Sequence, residues 1–338
     1  MKGNLKRIKN FYYRLICKRK YKFLIIFFFI INNFILQKKY IFCFECIKND
    51  KYQSSKCCEC PNELIFNGLK IESPEDTIQE IIKYNKSISR FGDGEYDIIF
   101  GSDINYQEYN ERLSKRLMEI INSNKTNLLV GIICPYNKSL QNNYINSEIK
   151  FWKIWFLTYK IKLLKILNKK KKYYSSEITR FYSKFKSKTK VPQYIEKLKK
   201  IWMGRDVLFV EGEKTRLGVG NDLFNNTKSI RRIICPPKNS FRVYDKILDT
   251  VLKFDKNFLI LISLGPTASV LAYDLSSYGY QAVDIGHADI QYELFLRRAK
   301  SIIQIPFKFV NEYNSGKNEN VGKVKDLNYY KQIAYKIF

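Results

Sequence analysis

Histidine occurs once in this chain of 338 residues, at His287, and methionine and tryptophan three times each. One imidazole excludes a metal centre built from several histidines, which leaves a histidine-rich metallohydrolase thinly supported. Acids are scarce as well: 32 Asp and Glu stand against 60 Lys and Arg, a formal net charge of +28. Such an excess suits acidic partners, whether nucleic acid, anionic lipid or phosphorylated substrates. Yet Lys, Asn, Ile, Tyr and Phe are enriched together, as an AT-rich coding sequence would make them, so most of the charge reads as solvated surface. No internal repeat is present, and no interleaved aromatic motif of the RNA-binding kind. Long apolar runs are missing too. The stretch FLIIFFFIINNFIL, 23–36, falls short of the roughly 17–25 residues a spanning helix needs.

What precedes that run gives it meaning. Residues 1–22 hold Lys and Arg throughout and no acid. A basic tail before an apolar core at 23–37 reads as an uncleaved signal anchor, with Lys22, Lys38 and Lys39 snorkelling to the interface. A cleaved signal, for which no small-residue cleavage site follows, and a buried or interfacial helix are the alternatives. The positive-inside rule then predicts a single-pass type II membrane protein, its main domain in the Golgi or ER lumen if the source is eukaryotic. A stem at 38–65 carries Cys43, Cys46, Cys57, Cys58 and Cys60. The C-x2-C-x10-C-x2-C spacing reads as zinc ligands in a reducing compartment and as disulfides in an oxidising one; beyond an anchor, disulfides are expected. Sequons at Asn85, Asn124, Asn137 and Asn225 are compatible with a lumen.

Regular structure begins near residue 66 and continues to 338. SPED reads as a helix start, with Ser73 as cap and Pro74 in the first turn. SISRF, NLLVGIIC, DVLFVEG, RRIICPP and FLILISLG are short apolar runs, most closed by Gly, Cys or Pro, and read as strands. Helical patterns alternate with them, which predicts an α/β domain with a mainly parallel sheet flanked by helices. Ligands of such sheets lie at the carboxyl ends of the strands. Residues 151–200 break the alternation: FWKIWFLTYKIKLLKILNKKKKYY reads as an ordinary helix packed on the sheet with a lysine face, or as a membrane-surface or acceptor-facing helix, and the basic stretch near 160–190 is insertion-like.

Three places could carry chemistry. Asp93 and Glu95 flank Gly94 on a glycine turn after a strand. In extended backbone residues two apart point to one side, so the acids could converge on Mg²⁺ or Mn²⁺; a solvated acidic turn is the plain alternative. His287 stands between a predicted strand and helix, with Asp289 and Glu293 sharing one face of that helix. Metal ligand, phosphate donor and general base remain open for it. After FLILISLG, Gly265, Thr267 and Ser269 open a helix whose free N–H groups suit an anion.

The segments SRFGDGEYDIIFG, EGEKTRLGVGNDLF, RIICPPKNSFRVYDKIL, LGPTASVLAYDLSSYGYQAVDIGHADIQYE and KFVNE together resemble the GT-D-type glycosyltransferase family, from about 66 to 313. The resemblance implies a Rossmann-like fold and sugar transfer from a nucleotide-sugar donor, a UDP-sugar such as UDP-glucose, to a glycan or glycoprotein. It implies a divalent metal, Mn²⁺ or Mg²⁺, on the Asp-x-Glu motif, which falls on Asp93 and Glu95. It sets His287 beside the metal or the diphosphate, with Asp289 or Glu293 as candidate bases. Arg90 and Arg216 are the candidate diphosphate clamps, next to Gly265, Thr267 and Ser269. No nucleic-acid partner is expected. A metal-dependent phosphoesterase or nucleotide-sugar hydrolase is the alternative, followed by a zinc-dependent nucleic-acid binder.

Overall fold

The runs of five to seven residues become the five longest strands, and the alternation seen in the sequence becomes crossovers. The computed structural model describes residues 68–133, 143–314 and 320–338, all within one compact unit, Pro61–Phe338. The basic tail, the anchor segment and the cysteines of the stem lie outside the described residues. In chain order the elements are β1 (Lys70–Ile71), α1 (Pro74–Lys83), β2 (Ser87–Phe91), α2 (Asp93–Ile99), α3 (Glu111–Ile121) and β3 (Leu128–Ile132). Then come α4 (Asn146–Ile166), β4 (Lys172–Ser175), α5 (Val191–Lys199), β5 (Asp206–Gly212), β6 (Ser229–Cys235) and α6 (Tyr244–Val251). The last group is β7 (Leu259–Ser263), α7 (Pro266–Ser277), β8 (Ala282–Asp284), α8 (Ala288–Leu296), α9 (Asn311–Asn314), α10 (Leu327–Gln332) and β9 (Ile333–Lys336).

The strands form one nine-stranded sheet in the order β1-β4-β3-β2-β8-β7-β5-β6-β9. All its pairings are parallel. Both faces are covered, so successive residues of one strand enter different cores. In β5, Leu208 and Val210 join Phe241 and Ile247 on one side, while Val207 and Phe209 join Leu198 and Trp202 on the other. Each such side chain contributes about 1.5–3 kcal/mol on burial. The helix starts follow their caps. Ser73 accepts from Asp76 N at 3.0 Å, and Asn110 accepts from Leu113 N at 3.0 Å.

Two expectations need correction here. The basic region begins as the packed helix expected, α4, whose Trp152, Phe156 and Leu163 are buried in the core, but the 160–190 stretch is not an insertion: its centre is β4, seated between β1 and β3. Tyr173 of β4 is fully buried, as is Ile178 just beyond it; the abundant lysines hid a core strand. The single-pass type II placement also fails. No helix among the described residues is long and apolar enough to cross a membrane.

Candidate active site

The carboxyl ends of seven strands, β2 to β8, open into one cavity of about 200 Å³. It receives Gly92 to Glu95 after β2, Ser176 and Glu177 after β4, and Gly212 and Thr215 at the end of β5. Leu264 and Gly265 enter after β7, and Gly286 and His287 after β8, with Pro236 and Pro237 following β6.

Asp93 and Glu95 are not on an extended turn. They occupy the first turn of α2, which Gly92 precedes. Residues two apart on a helix diverge, so the expected strand-like convergence does not operate. Glu95 instead folds back, and its Oε2 accepts from Gly92 N at 2.8 Å. This caps the helix and places the carboxylate in the cleft. Burial raises its pKa to about 7, the Gly92 bond offsetting part of the rise. Asp93 reaches solvent through the cleft although protein rings it. Burial raises its carboxyl, Arg180 and Lys184 pull it down, and Asp97 pushes it up again.

Two glycines make the close approaches that shape this floor. Gly286 has φ +42°, and a Cβ there would come within 1.9 Å of Arg90 Nη2. Gly265 has φ +56°, and a Cβ would meet the Tyr106 ring at 2.4 Å. Tyr106 thus packs closely against the start of α7. Burial, then Glu95 and Asp93, hold its hydroxyl well above the ordinary range, so it stays a donor.

The basic groups divide by what they already hold. Arg90 donates from Nε to the Asp284 carbonyl (2.7 Å) and from Nη2 to Asp284 Oδ1 (2.9 Å). Its Nη1 donates to the Ser176 carbonyl and to Thr179 Oγ1, at 2.9 and 2.6 Å. Lys184 lies 3.3 Å from Glu177 Oε1, with its ammonium 5.2 Å from the centre of the Trp152 ring. Arg180 donates to Glu312 Oε1 at 2.6 Å and contacts His287 Nε2 at 3.2 Å. A guanidinium only donates, so Nε2 is the accepting nitrogen and the proton of neutral His287 sits on Nδ1. Burial, then Arg180, push the imidazole down to about 3. Burial alone would raise Glu312, but Arg180 and His287 hold it well below the carboxylate range.

The structure therefore gathers Asp93, Glu95, Arg90, Gly265 and His287 in one cleft. Other predicted residues lie elsewhere. Arg216 binds the Phe307 and Gly322 carbonyls, at 2.5 and 2.9 Å, and does not line the cavity. Thr267 and Ser269 are buried inside α7, where Ser269 Oγ donates to the Arg90 carbonyl at 2.7 Å. Asp289 and Glu293 sit together behind the cleft wall. Asp289 Oδ2 lies 2.5 Å and Glu293 Oε1 3.1 Å from Lys308 Nζ, and Asn221 Nδ2 donates to both acids. Gly218 N also donates to Asp289 Oδ1, so the pair anchors the loop after β5. Sequence reasoning passed over Arg180, Lys184, Glu177 and Asp284. The first three lie in the supposed insertion; Asp284, in GYQAVDIGH, had the signal of an acid closing an apolar strand. No cluster of three or more His, Cys, Asp and Glu able to hold a metal forms among the described residues.

Comparison with known proteins agrees with this geometry. The model of the glycosyltransferase GT-D fold matches residues 88–313. A probable glycosyl transferase of Streptococcus gordonii is 38% identical over 73% of this chain and 36% of its own length. Glycosyltransferase GlyD of Streptococcus pneumoniae serotype 4 is 35% identical over 80% of this chain and 33% of its own. The chain thus spans about a third of the length of these curated relatives. Among solved structures, a highly conserved domain of unknown function described as having a distinct glycosyltransferase fold superposes with TM-score 0.77 at 37% identity. That likeness covers 82% of this chain and 99% of the other. A structure described as a new glycosyltransferase from Streptococcus sanguinis gives 0.75 at 34% identity, covering 80% of this chain and all of the other, 100%. These named sources are bacteria, which have no Golgi or ER, so the luminal placement and the weight given to the sequons fall together.

Proposed function

This chain belongs to the GT-D glycosyltransferase family, and we propose that its cleft transfers a sugar from a nucleotide-sugar donor to a glycan or glycoprotein acceptor. A UDP-sugar such as UDP-glucose is the proposed donor, and Mn²⁺ or Mg²⁺ the proposed cation. The observation that carries this reading is the meeting of two acids, Asp93 and Glu95, with the guanidinium of Arg180 at the carboxyl ends of the strands. A sugar diphosphate needs both signs of charge at once: acids to hold a cation, and cations to meet its phosphates.

The residues present fit such a cation. Asp93 and Glu95 both have raised proton affinity, so each gains from a nearby positive charge. Two carboxylates are a sufficient protein share for Mg²⁺-like ions, whose remaining positions go to water and substrate phosphates. His287 is poorly disposed to join them, because Arg180 already occupies Nε2. When bound, the cation would supply charge neutralisation at the departing diphosphate. The chain's own groups do the rest. Tyr106, Gly265 before α7, Trp152 and Ile133 line the cavity and give it apolar surface. Asp289 and Glu293 hold the loop after β5 in place instead of meeting the acceptor.

The test is turnover of the full chain with a panel of nucleotide sugars and glycan acceptors, with Mn²⁺ and then with EDTA. Transfer that depends on metal and acceptor supports the reading. Release of free sugar at the same rate without acceptor would replace it with the hydrolase.

A further inference from the structure

Resting on that reading, the geometry points to Arg180 as the clamp for the donor's diphosphate, with His287 and Glu312 as its positioning residues. Three basic side chains line the described part of the cavity: Arg90, Arg180 and Lys184. Arg90 is spent. Four bonds to Asp284, Ser176 and Thr179 consume all but one of its N–H groups. Lys184 is nearly closed off, its side chain 9% exposed and paired with Glu177. Arg180 differs on both counts. Its side chain is 23% exposed, and its two described bonds, to Glu312 and His287, leave three of the five guanidinium N–H groups uncommitted.

The mount fixes the direction of that guanidinium. Glu312 grips Nη1 and His287 receives Nη2, so the plane is set from two separate elements, α9 and the start of α8. A planar fork held in this way meets phosphate oxygens with little entropy left to lose. Arg180 also acts on Asp93 through space, lowering its proton affinity. Acid and guanidinium therefore share the cavity, and a diphosphate between them would touch a cation on one side and Arg180 on the other. In the transfer step the bond from the sugar's anomeric carbon to the phosphate oxygen breaks and its electron pair stays on that oxygen. The acceptor oxygen bonds the same carbon and passes its proton to water in the open cleft. One unit of negative charge thus appears on the diphosphate, where a fixed guanidinium is worth most.

This arrangement also gives His287 a role it lacked. The imidazole works through Arg180, as a hydrogen-bond acceptor, and neither ligates metal nor takes a proton from substrate. The side chain of Gln offers an acceptor oxygen at comparable reach; that of Ala offers none.

The experiment is calorimetric titration of the full chain with UDP and with UMP in MnCl₂, on wild type, Arg180→Ala, Arg180→Lys, His287→Ala and His287→Gln, with melting curves for each. Arg180→Ala should lose about a hundredfold in affinity for UDP, the scale of one positioned charge, and far less for UMP. Arg180→Lys should recover part of the loss. His287→Gln should stay near wild type while His287→Ala moves toward Arg180→Ala. An unchanged UDP-to-UMP ratio in folded Arg180→Ala or Arg180→Lys overturns the clamp, and equal losses in the two His287 variants overturn the mount. If wild type binds neither nucleotide, the transferase reading itself falls along with both.

Discussion

Replacing Lys308 by Met should destabilise this protein through the acids that the ammonium now pairs. Lys308 is fully buried, its ammonium 2.5 Å from Asp289 and 3.1 Å from Glu293. Both acids have side chains 2% exposed. Taking one partner from a buried ionic cluster costs about 3–5 kcal/mol, because charges remain where water cannot reach them. Here the acids keep some help: Asn221 and Gly218 N still donate, and Arg297 still pairs with Glu293. That places the loss at the lower end, about 3 kcal/mol. For a domain of this size roughly 2 °C of melting temperature goes with each kcal/mol, so the expected fall is about 6 °C. The assay is differential scanning calorimetry of the full chain, with Lys308→Met alone and combined with Asp289→Asn and Glu293→Gln. Neutralising the acids should return part of the stability, since nothing charged is then stranded. A Lys308→Met melt indistinguishable from wild type, or strictly additive losses in the combined variant, would refute the account of this cluster.

Two further outcomes follow from the cleft floor. Burial raises the Glu95 carboxyl from 4.5 to about 7. Between those values the folded chain keeps a proton that the unfolded chain has released, so this group's share of stability declines as pH rises through the window. Glu95→Gln has no such proton and should flatten that portion of a melting-temperature series; an unaltered slope would count against it. Gly265→Ala should cost about 1–3 kcal/mol through its positive φ alone, and push Tyr106 aside because the new Cβ falls 2.4 Å from that ring. Undiminished stability together with undiminished UDP affinity would show that neither constraint operates.

The sheet was largely legible in the sequence, the site only in part. SISRF and DVLFVEG became β2 and β5 at their expected boundaries, because short apolar runs ended by Gly leave little else to form. The cap at Ser73 was equally plain. Asp93 and Glu95 were found by spacing but given the wrong backbone. A glycine before two acids suits both a turn and a helix start, and only the bond from Gly92 N to Glu95 decides it. Arg180 and Lys184 were missed because in a segment full of lysine no single cation stands out. What distinguishes Arg180 is its meeting with His287 and Glu312, more than a hundred residues away in sequence. Asp289 and Glu293 share a helix face as predicted, but that face meets Lys308, a pairing that local periodicity does not encode.

The most direct measurement is UDP affinity of the full chain, with and without Mn²⁺, for wild type and Asp93→Asn. The account predicts binding by wild type that needs the metal and is lost in a folded Asp93→Asn variant. Equal affinity in all four conditions would contradict it.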